Sequence, residues 1–104
     1  MVESHVSYDL LSNIDQRAYA ATVKKVVEVT MKASGVVEFR ASRGLVAPAQ
    51  VRGTTVWQTS TDWAKFVEGP WQQLEAELRT YATNIKLELW GPSPLITEPL
   101  RPAK

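Results

Sequence analysis

The stretch VRGTTVWQTSTDWAKFVEGPWQQLEAELRTY, Val51–Tyr81, decides the fold of this 104-residue chain. Its first part is rich in Thr, Val and Trp, a composition that favours a strand. An amphipathic run follows, which Ser60 or Thr61 is expected to cap, and Gly69-Pro70 separates it from a second amphipathic run. Because proline fits the first position of a helix, the stretch predicts one strand and then two consecutive helices.

Three of the four tryptophans lie in this stretch: Trp57, Trp63 and Trp71. With Tyr8 and Phe66, they predict either the core of a small domain or the aromatic wall of a pocket between sheet and helices. The two interpretations use the same side chains at the same spacings and do not exclude each other. The sequence assigns no catalytic residue.

The segments on both sides of this stretch complete the fold. Alternation of polar and apolar residues predicts further strands over residues 4–11, 36–42 and 84–90. A helix is predicted to begin behind a capping box at Ser12-Asn13 and to end near Ser34, before Gly35. The resulting order, βαββαβ, predicts an α+β ferredoxin-like fold, in which a four-stranded antiparallel sheet carries its helices on one face.

The amino-acid composition excludes several kinds of functional site. The chain contains no cysteine and one histidine, so it has no thiolate nucleophile, and one chain cannot supply a histidine cluster for a metal. A net charge of +1 argues against nucleic acid as a partner. The N-terminal residues are interrupted by charge, which is typical of neither a signal peptide nor a membrane span. A cytoplasmic protein without membrane contacts is therefore expected.

The chain divides by composition into a domain over residues 1–91 and an arm over residues 92–104. Four of the six prolines lie in the arm, so it is predicted to be extended rather than helical. Leu95, Ile96 and Leu100 are apolar, which is unusual for a free tail. We therefore expect the arm to pack on a second subunit.

The face of the sheet without helices is predicted to be mixed in polarity. It carries charged side chains together with Val36 and Trp90, whereas the faces of the third strand stay undecided between Thr54/Val56 and Thr55/Trp57. Such a face is too apolar to be wholly solvated. A homodimer that packs sheet against sheet is therefore predicted.

Three polar residues are candidate contributors to a site: His5, Arg40 and Arg52. His5 is the only side chain that ordinarily titrates near neutral pH, so it could act as a general base. Its position on the polar side of the first strand favours an exposed or inter-subunit histidine instead. The arginines could equally pair with carboxylates such as Asp9 across the sheet.

The run TVWQTSTDWAKF, Thr55–Phe66, and the WQQLEAEL that follows it resemble the antibiotic biosynthesis monooxygenase family of dimeric α/β barrels. The resemblance implies the ferredoxin-like fold and a homodimer. It also implies a cofactor-independent monooxygenase-like protein acting on a small aromatic or polyketide-like compound, with no cofactor. The alternative is a non-catalytic, small-ligand-binding or stress-related dimeric α/β barrel.

One branch of this superfamily degrades haem, using an Asn on the first strand, a Trp on the second helix and a His about ten residues later. The corresponding positions here hold Phe66 and Ala76, or Glu75 if one residue is skipped. The first strand contains no Asn. Haem binding is therefore not expected.

Overall fold

Seven strands and helices follow one another in a computed structural model, which describes residues 1–103. They are β1 (Val2–Leu10), α1 (Gln16–Met31), β2 (Val36–Arg43), β3 (Gln50–Trp57), α2 (Ser60–Glu68), α3 (Pro70–Leu78) and β4 (Ala82–Trp90). The predicted break at Gly69-Pro70 is confirmed, since α3 begins at Pro70. Within residues 1–103, none of the helices is long and apolar enough to cross a membrane.

The four strands form one antiparallel sheet in the order β2-β3-β1-β4, with the helices on one face. The predicted ferredoxin-like α+β fold is therefore confirmed. The undecided faces of β3 are now assigned, because Trp57 packs under the helices and is only 1% exposed. Thr54 bonds to His5 on the opposite face, which is called the outer face below.

The core lies between the sheet and the helices. Its buried apolar residues are Tyr8, Trp57, Phe66, Trp71, Leu74, Leu78 and Ala82. The rings of Trp57, Phe66 and Trp71 form a continuous aromatic series, with centroid separations of 5.3 and 6.5 Å. Each such side chain contributes roughly 1.5–3 kcal/mol through burial, so this series holds α2 and α3 on β3.

The start of α1 differs from the prediction. Asp15 is the N-cap, and its side chain accepts hydrogen bonds from the backbone N–H groups of Arg17 and Ala18 at 3.0 and 3.1 Å. The capping box predicted at Ser12-Asn13 is wrong because Asn13 adopts a left-handed conformation, with φ of 58°. Asparagine tolerates that conformation, so it turns the chain between β1 and α1.

The cap of α2 is also displaced from its predicted position. Thr59 is the N-cap, and Ser60 and Thr61 already lie within the helix. The Thr59 hydroxyl accepts from the backbone N–H of Asp62 at 3.1 Å and donates to the Asp62 carboxylate at 2.8 Å. This reciprocal contact closes the first turn of α2 and places Asp62 where the helix dipole favours an anion.

Position 35 requires glycine for two reasons. Its backbone is left-handed, with φ of 86°, and its surroundings leave no space for a side chain. A Cβ atom there would lie 2.2 Å from the Asp62 carboxylate. Gly35→Ala is therefore expected to lower the free energy of unfolding by about 1–3 kcal/mol, measured by urea denaturation. The control is Gly91→Ala, whose new Cβ has nothing within 4 Å. Equal midpoints for the two variants would contradict the steric account.

The pairing of β1 with β4 is irregular between Ser7 and Asp9. Asn84 takes a positive φ of 55° at this bulge and donates from its side chain to the Asp9 carboxylate at 3.0 Å. Asp9 is thus held by Asn84, rather than by the arginines that the sequence suggested. The bulge also explains why β4 begins at Ala82, two residues before its predicted start.

Candidate functional site

A cavity of about 110 Å³ lies between the sheet and the helices and is partly open. Seven aromatic residues border it: Tyr8, Tyr19, Phe39, Trp57, Trp63, Phe66 and Trp71. Its aliphatic wall comes mainly from valines, and three of them lie on α1. All five residues named as pocket-lining candidates from the sequence therefore border one cavity.

The core and pocket interpretations apply to the same side chains. Trp57, Phe66 and Trp71 are among the most buried residues of the core, and they also border the cavity. Trp63 is only partly buried and packs against the core from α2. The aromatic series therefore supplies both the rigidity of the fold and one wall of the cavity.

Two tyrosines supply hydroxyl groups to the cavity. The hydroxyl oxygens of Tyr8, on β1, and Tyr19, on α1, lie 2.7 Å apart and share a hydrogen bond. Burial, reinforced by this hydrogen bond, raises the pKa of Tyr8 well above its usual range. Tyr8 therefore stays a neutral phenol at ordinary pH and acts as a hydrogen-bonding group, not as a base.

The two most buried indoles differ in their hydrogen bonding. Trp57 donates from Nε1 to the Ser4 hydroxyl at 2.9 Å, so its polar atom is satisfied. Trp71 is only 2% exposed, and its Nε1 is buried without an acceptor among the described residues. Nothing in the sequence distinguishes these tryptophans, because the difference depends on which strand residue each indole meets.

Tyr19 was missed as a site residue. The sequence places it on the apolar stripe of α1, where it reads as an ordinary core residue. Its ring packs on Tyr81 with centroids 5.8 Å apart, and its hydroxyl meets Tyr8. The signal that could have identified it is the tyrosine itself, because a buried phenol usually needs a hydrogen-bonding partner.

Two of the three polar candidates, His5 and Arg40, are separated from the aromatic ones. His5 Nδ1 lies 3.0 Å from the Thr54 hydroxyl on the outer face. Arg40 pairs with Glu3 and Glu38, and these contacts, chiefly the hydrogen bond to Glu3, raise its pKa. Of these three candidates, only Arg52 borders the cavity.

An open groove on the outer face forms a second, polar concavity of about 660 Å³. Its charged lining residues are Asp9, Arg43, Arg52, Lys86 and Glu88. Both signs of charge are present, so the groove does not strongly favour the binding of either a cation or an anion. Across residues 1–103, no group of three His, Cys, Asp or Glu side chains is arranged to hold a metal ion.

The positions that correspond to the Trp and His of the haem-degrading branch hold other residues here. Phe66 packs between Trp57 and Trp71 in the core. Glu75 lies on α3 and pairs with Arg79 at 3.2 Å. Neither Ala76 nor Glu75, the two residues that could stand at the His position, offers the neutral nitrogen ligand that this branch uses, so these residues do not fit a haem.

Comparison with known proteins identifies a shared fold. No family model matches the chain, and no curated protein shows significant sequence similarity. Among solved structures, a candidate antibiotic biosynthesis monooxygenase from Deinococcus radiodurans is similar over 100% of both chains, at 17% identity and a TM-score of 0.76. A candidate antibiotic biosynthesis monooxygenase from Nitrosomonas europaea aligns with 88% of this chain and 97% of its own, at 14% identity and a TM-score of 0.71.

SnoaB, a cofactor-independent oxygenase from Streptomyces nogalater, is similar over 88% of this chain and 92% of its own. The identity is 11% and the TM-score is 0.72. Identities at this level show the fold alone. The chain therefore has the ferredoxin-like fold of antibiotic biosynthesis monooxygenase-type structures, which the run Thr55–Phe66 had indicated.

Proposed function

We propose that this chain is a cofactor-independent monooxygenase-like protein that oxidises a small aromatic or polyketide-like compound in the cavity. The observation that carries the proposal is an aromatic-walled, largely apolar cavity bordered by a neutral hydrogen-bonding group, the Tyr8–Tyr19 pair. The structural similarity to SnoaB supports it at the level of the fold.

The chemistry balances without an external reductant. An anthrone loses the two hydrogens of its methylene carbon to dioxygen, which gives a quinone and one water. A hydroquinone similarly gives a hydroxyquinone and one water. In both cases the substrate supplies all four electrons, one oxygen atom enters the product and the other leaves as water.

The residues around the cavity would promote this reaction by exclusion of water and by hydrogen bonding. Aromatic walls orient a flat substrate, and the tyrosine pair can donate its remaining O–H to negative charge that develops on the substrate oxygen. Among residues 1–103, none of those that border the cavity is Asp, Glu or His. The substrate would therefore lose its proton to solvent before it enters the cavity, and turnover should follow the pKa of the substrate.

That same lack of a proton acceptor favours the second candidate function, a non-catalytic or stress-related protein that binds a small aromatic ligand. In that case the cavity and its donors serve recognition alone. The two functions predict the same occupant and differ only in whether dioxygen is consumed.

The test is turnover of anthrone and of hydroquinone under oxygen, without added cofactor. We expect dioxygen uptake that matches quinone formation one to one, above the spontaneous rate. Val23→Phe fills the cavity from α1 and should lower the rate at least about tenfold, because the substrate loses its binding site. Val46→Phe is the matched control, since Val46 is fully exposed in a loop.

This experiment distinguishes the two candidate functions. Binding of either compound without dioxygen uptake supports the non-catalytic function. Equal rates for Val23→Phe and Val46→Phe would place the reaction outside the cavity.

We further propose that the protein is a homodimer that packs through its outer face. Trp90, at the end of β4, is 57% exposed, and the outer face also carries the Arg40 ion pairs. A second copy would remove this indole from water, while charges of both signs could pair across the interface. The arm that follows Trp90 lies at the same end of the sheet and adds further apolar surface.

A further inference from the structure

Helix α1 is the least firmly packed wall of the cavity. Of its 16 residues, all of which the structure describes, only Thr30 is buried. The buried apolar residues of the core belong instead to the sheet, α2 and α3. An element with few buried apolar contacts opens at a lower free energy than one that carries the core. Among the walls of the cavity, α1 is therefore the one that moves most readily.

The cavity lies directly beneath this helix. Five residues of α1 border it, over about three turns: Tyr19, Val23, Val26, Val27 and Thr30. The first four are only partly buried, so the side chains of α1 do not fill the space under the helix. Outward movement of α1 would enlarge the cavity, whereas movement of α3 would expose the buried Trp71, Leu74 and Leu78.

A hydrogen bond ties α1 to the sheet near the start of the helix. The hydroxyl oxygens of Tyr19, on α1, and Tyr8, on β1, lie 2.7 Å apart. The ring of Tyr19 also packs on Tyr81, with centroids 5.8 Å apart. Further along α1, Lys25 pairs with Glu77 of α3 at 2.9 Å, but this pair is exposed and contributes little. The tyrosine bond is thus the polar contact that holds α1 against the sheet.

With this bond formed, the cavity has room for one aromatic ring. An apolar cavity of about 150 Å³ holds one benzene molecule. The cavity here measures about 110 Å³ and is partly open, so one ring can keep an edge toward the opening. A fused three-ring compound requires one wall to move, and α1 is the wall that loses the least buried apolar contact.

We propose that Tyr19 determines the size of the compound that the cavity accepts, because its hydrogen bond to Tyr8 holds α1 against the sheet. A single ring binds with α1 in place, whereas a fused-ring compound binds after this bond breaks and α1 moves outward. The apparent affinity for a large compound is therefore scaled down by the small fraction of molecules in which the bond is broken. This inference deepens the proposed function and rests on the cavity being its ligand site.

The experiment compares anthrone, which has three fused rings, with hydroquinone, which has one. Their binding to the full chain is measured by titration calorimetry without oxygen, so that neither compound is oxidised. Tyr19→Phe removes only the hydroxyl, and loss of the hydrogen bond should raise the affinity for anthrone about two- to tenfold relative to that for hydroquinone. Tyr8→Phe removes the same bond from the other side and should have the same effect.

Tyr81→Phe is the matched control. It also removes one tyrosine hydroxyl, from a ring that packs on Tyr19 but lies outside the cavity. The ratio of the two affinities should stay unchanged in this variant. Because the expected effect of Tyr19→Phe is a gain of affinity, a variant that is merely destabilised would not produce it.

A second measurement needs no ligand. Amide hydrogen exchange of the full chain follows the opening of each helix separately. In Tyr19→Phe the amides of α1 should exchange about two- to tenfold faster. Those of α3, which carries three buried apolar side chains, should keep their rates. Tyr81→Phe should leave both helices at the rates of the unmodified protein.

Two results would overturn the inference: equal anthrone-to-hydroquinone ratios in Tyr19→Phe and Tyr81→Phe, or a change in exchange that is not confined to α1. If the unmodified protein oxidises anthrone but Tyr19→Phe leaves the ratio unchanged, this inference fails and the proposed function stands. If neither compound binds to any of the variants or to the unmodified protein, both fail.

Discussion

Trp57→Ala is expected to lower the free energy of unfolding by about 3–5 kcal/mol, the usual cost of truncating a buried tryptophan. Trp57 is 1% exposed, its ring packs on Phe66, and its indole donates to Ser4 at 2.9 Å. Alanine removes the packing, leaves a void beside the cavity and deprives the Ser4 hydroxyl of its donor. A domain is stable by only about 5–15 kcal/mol, so this variant should be close to unfolding at 37 °C.

The measurement is urea denaturation at one fixed protein concentration, followed by circular dichroism. Trp57→Phe is the control, because it keeps an aromatic ring on Phe66 and removes only the hydrogen bond and part of the volume. It should lose about 1–3 kcal/mol. If Trp57→Ala costs no more than Trp57→Phe, the ring does not hold β3 and α2 together.

The fold was predictable because its signals are periodic. Alternation over the strands, the break at Gly69-Pro70 and the glycine at position 35 each depend on local physics that the sequence displays directly. The helix starts were less predictable. Several Ser, Thr, Asn and Asp residues adjoin each helix, and all of them can cap. The choice of Asp15 and Thr59 depends on how the turn from the preceding strand is built.

The site was predictable only in its composition. The sequence shows that aromatic residues are concentrated around Trp63, and the structure brings them to one cavity. It does not show that the Tyr8 hydroxyl meets Tyr19, or that Trp57 finds an acceptor while Trp71 does not. Those contacts join residues from separate elements, so they depend on tertiary packing that no local pattern encodes.

The C-terminal arm is the part of the chain that is hardest to explain for a lone subunit. Over residues 92–103 it forms neither helix nor strand, and Leu95 and Leu100 are 92% and 78% exposed. The arm borders a groove with Met1, Val56 and Trp90, at one end of the proposed dimer face. Its exposed leucines are therefore placed where a second subunit would meet them.

Truncation after Gly91 is expected to raise the dissociation constant of the homodimer by about ten- to a hundredfold. Each apolar side chain buried on the partner contributes roughly 1.5–3 kcal/mol, and ordering the arm costs part of that gain. The prolines keep this cost small, because they already restrict the unbound arm. The measurement is sedimentation or light scattering across micromolar concentrations, where a constant mass near 11.6 kDa for the full chain would contradict the dimer itself.

A variant of the full-length arm separates the apolar side chains from the length of the arm. Replacement of Leu95, Ile96 and Leu100 by serine keeps every proline and should weaken the dimer almost as much as truncation does. The control replaces Glu98 and Arg101 by serine, which changes two exposed polar residues of the same arm and should leave the dissociation constant within about twofold, since such surface changes are nearly neutral. If the dimer forms but all three variants match the full chain, the arm does not contact the partner, and the outer face of the sheet alone holds the two subunits together.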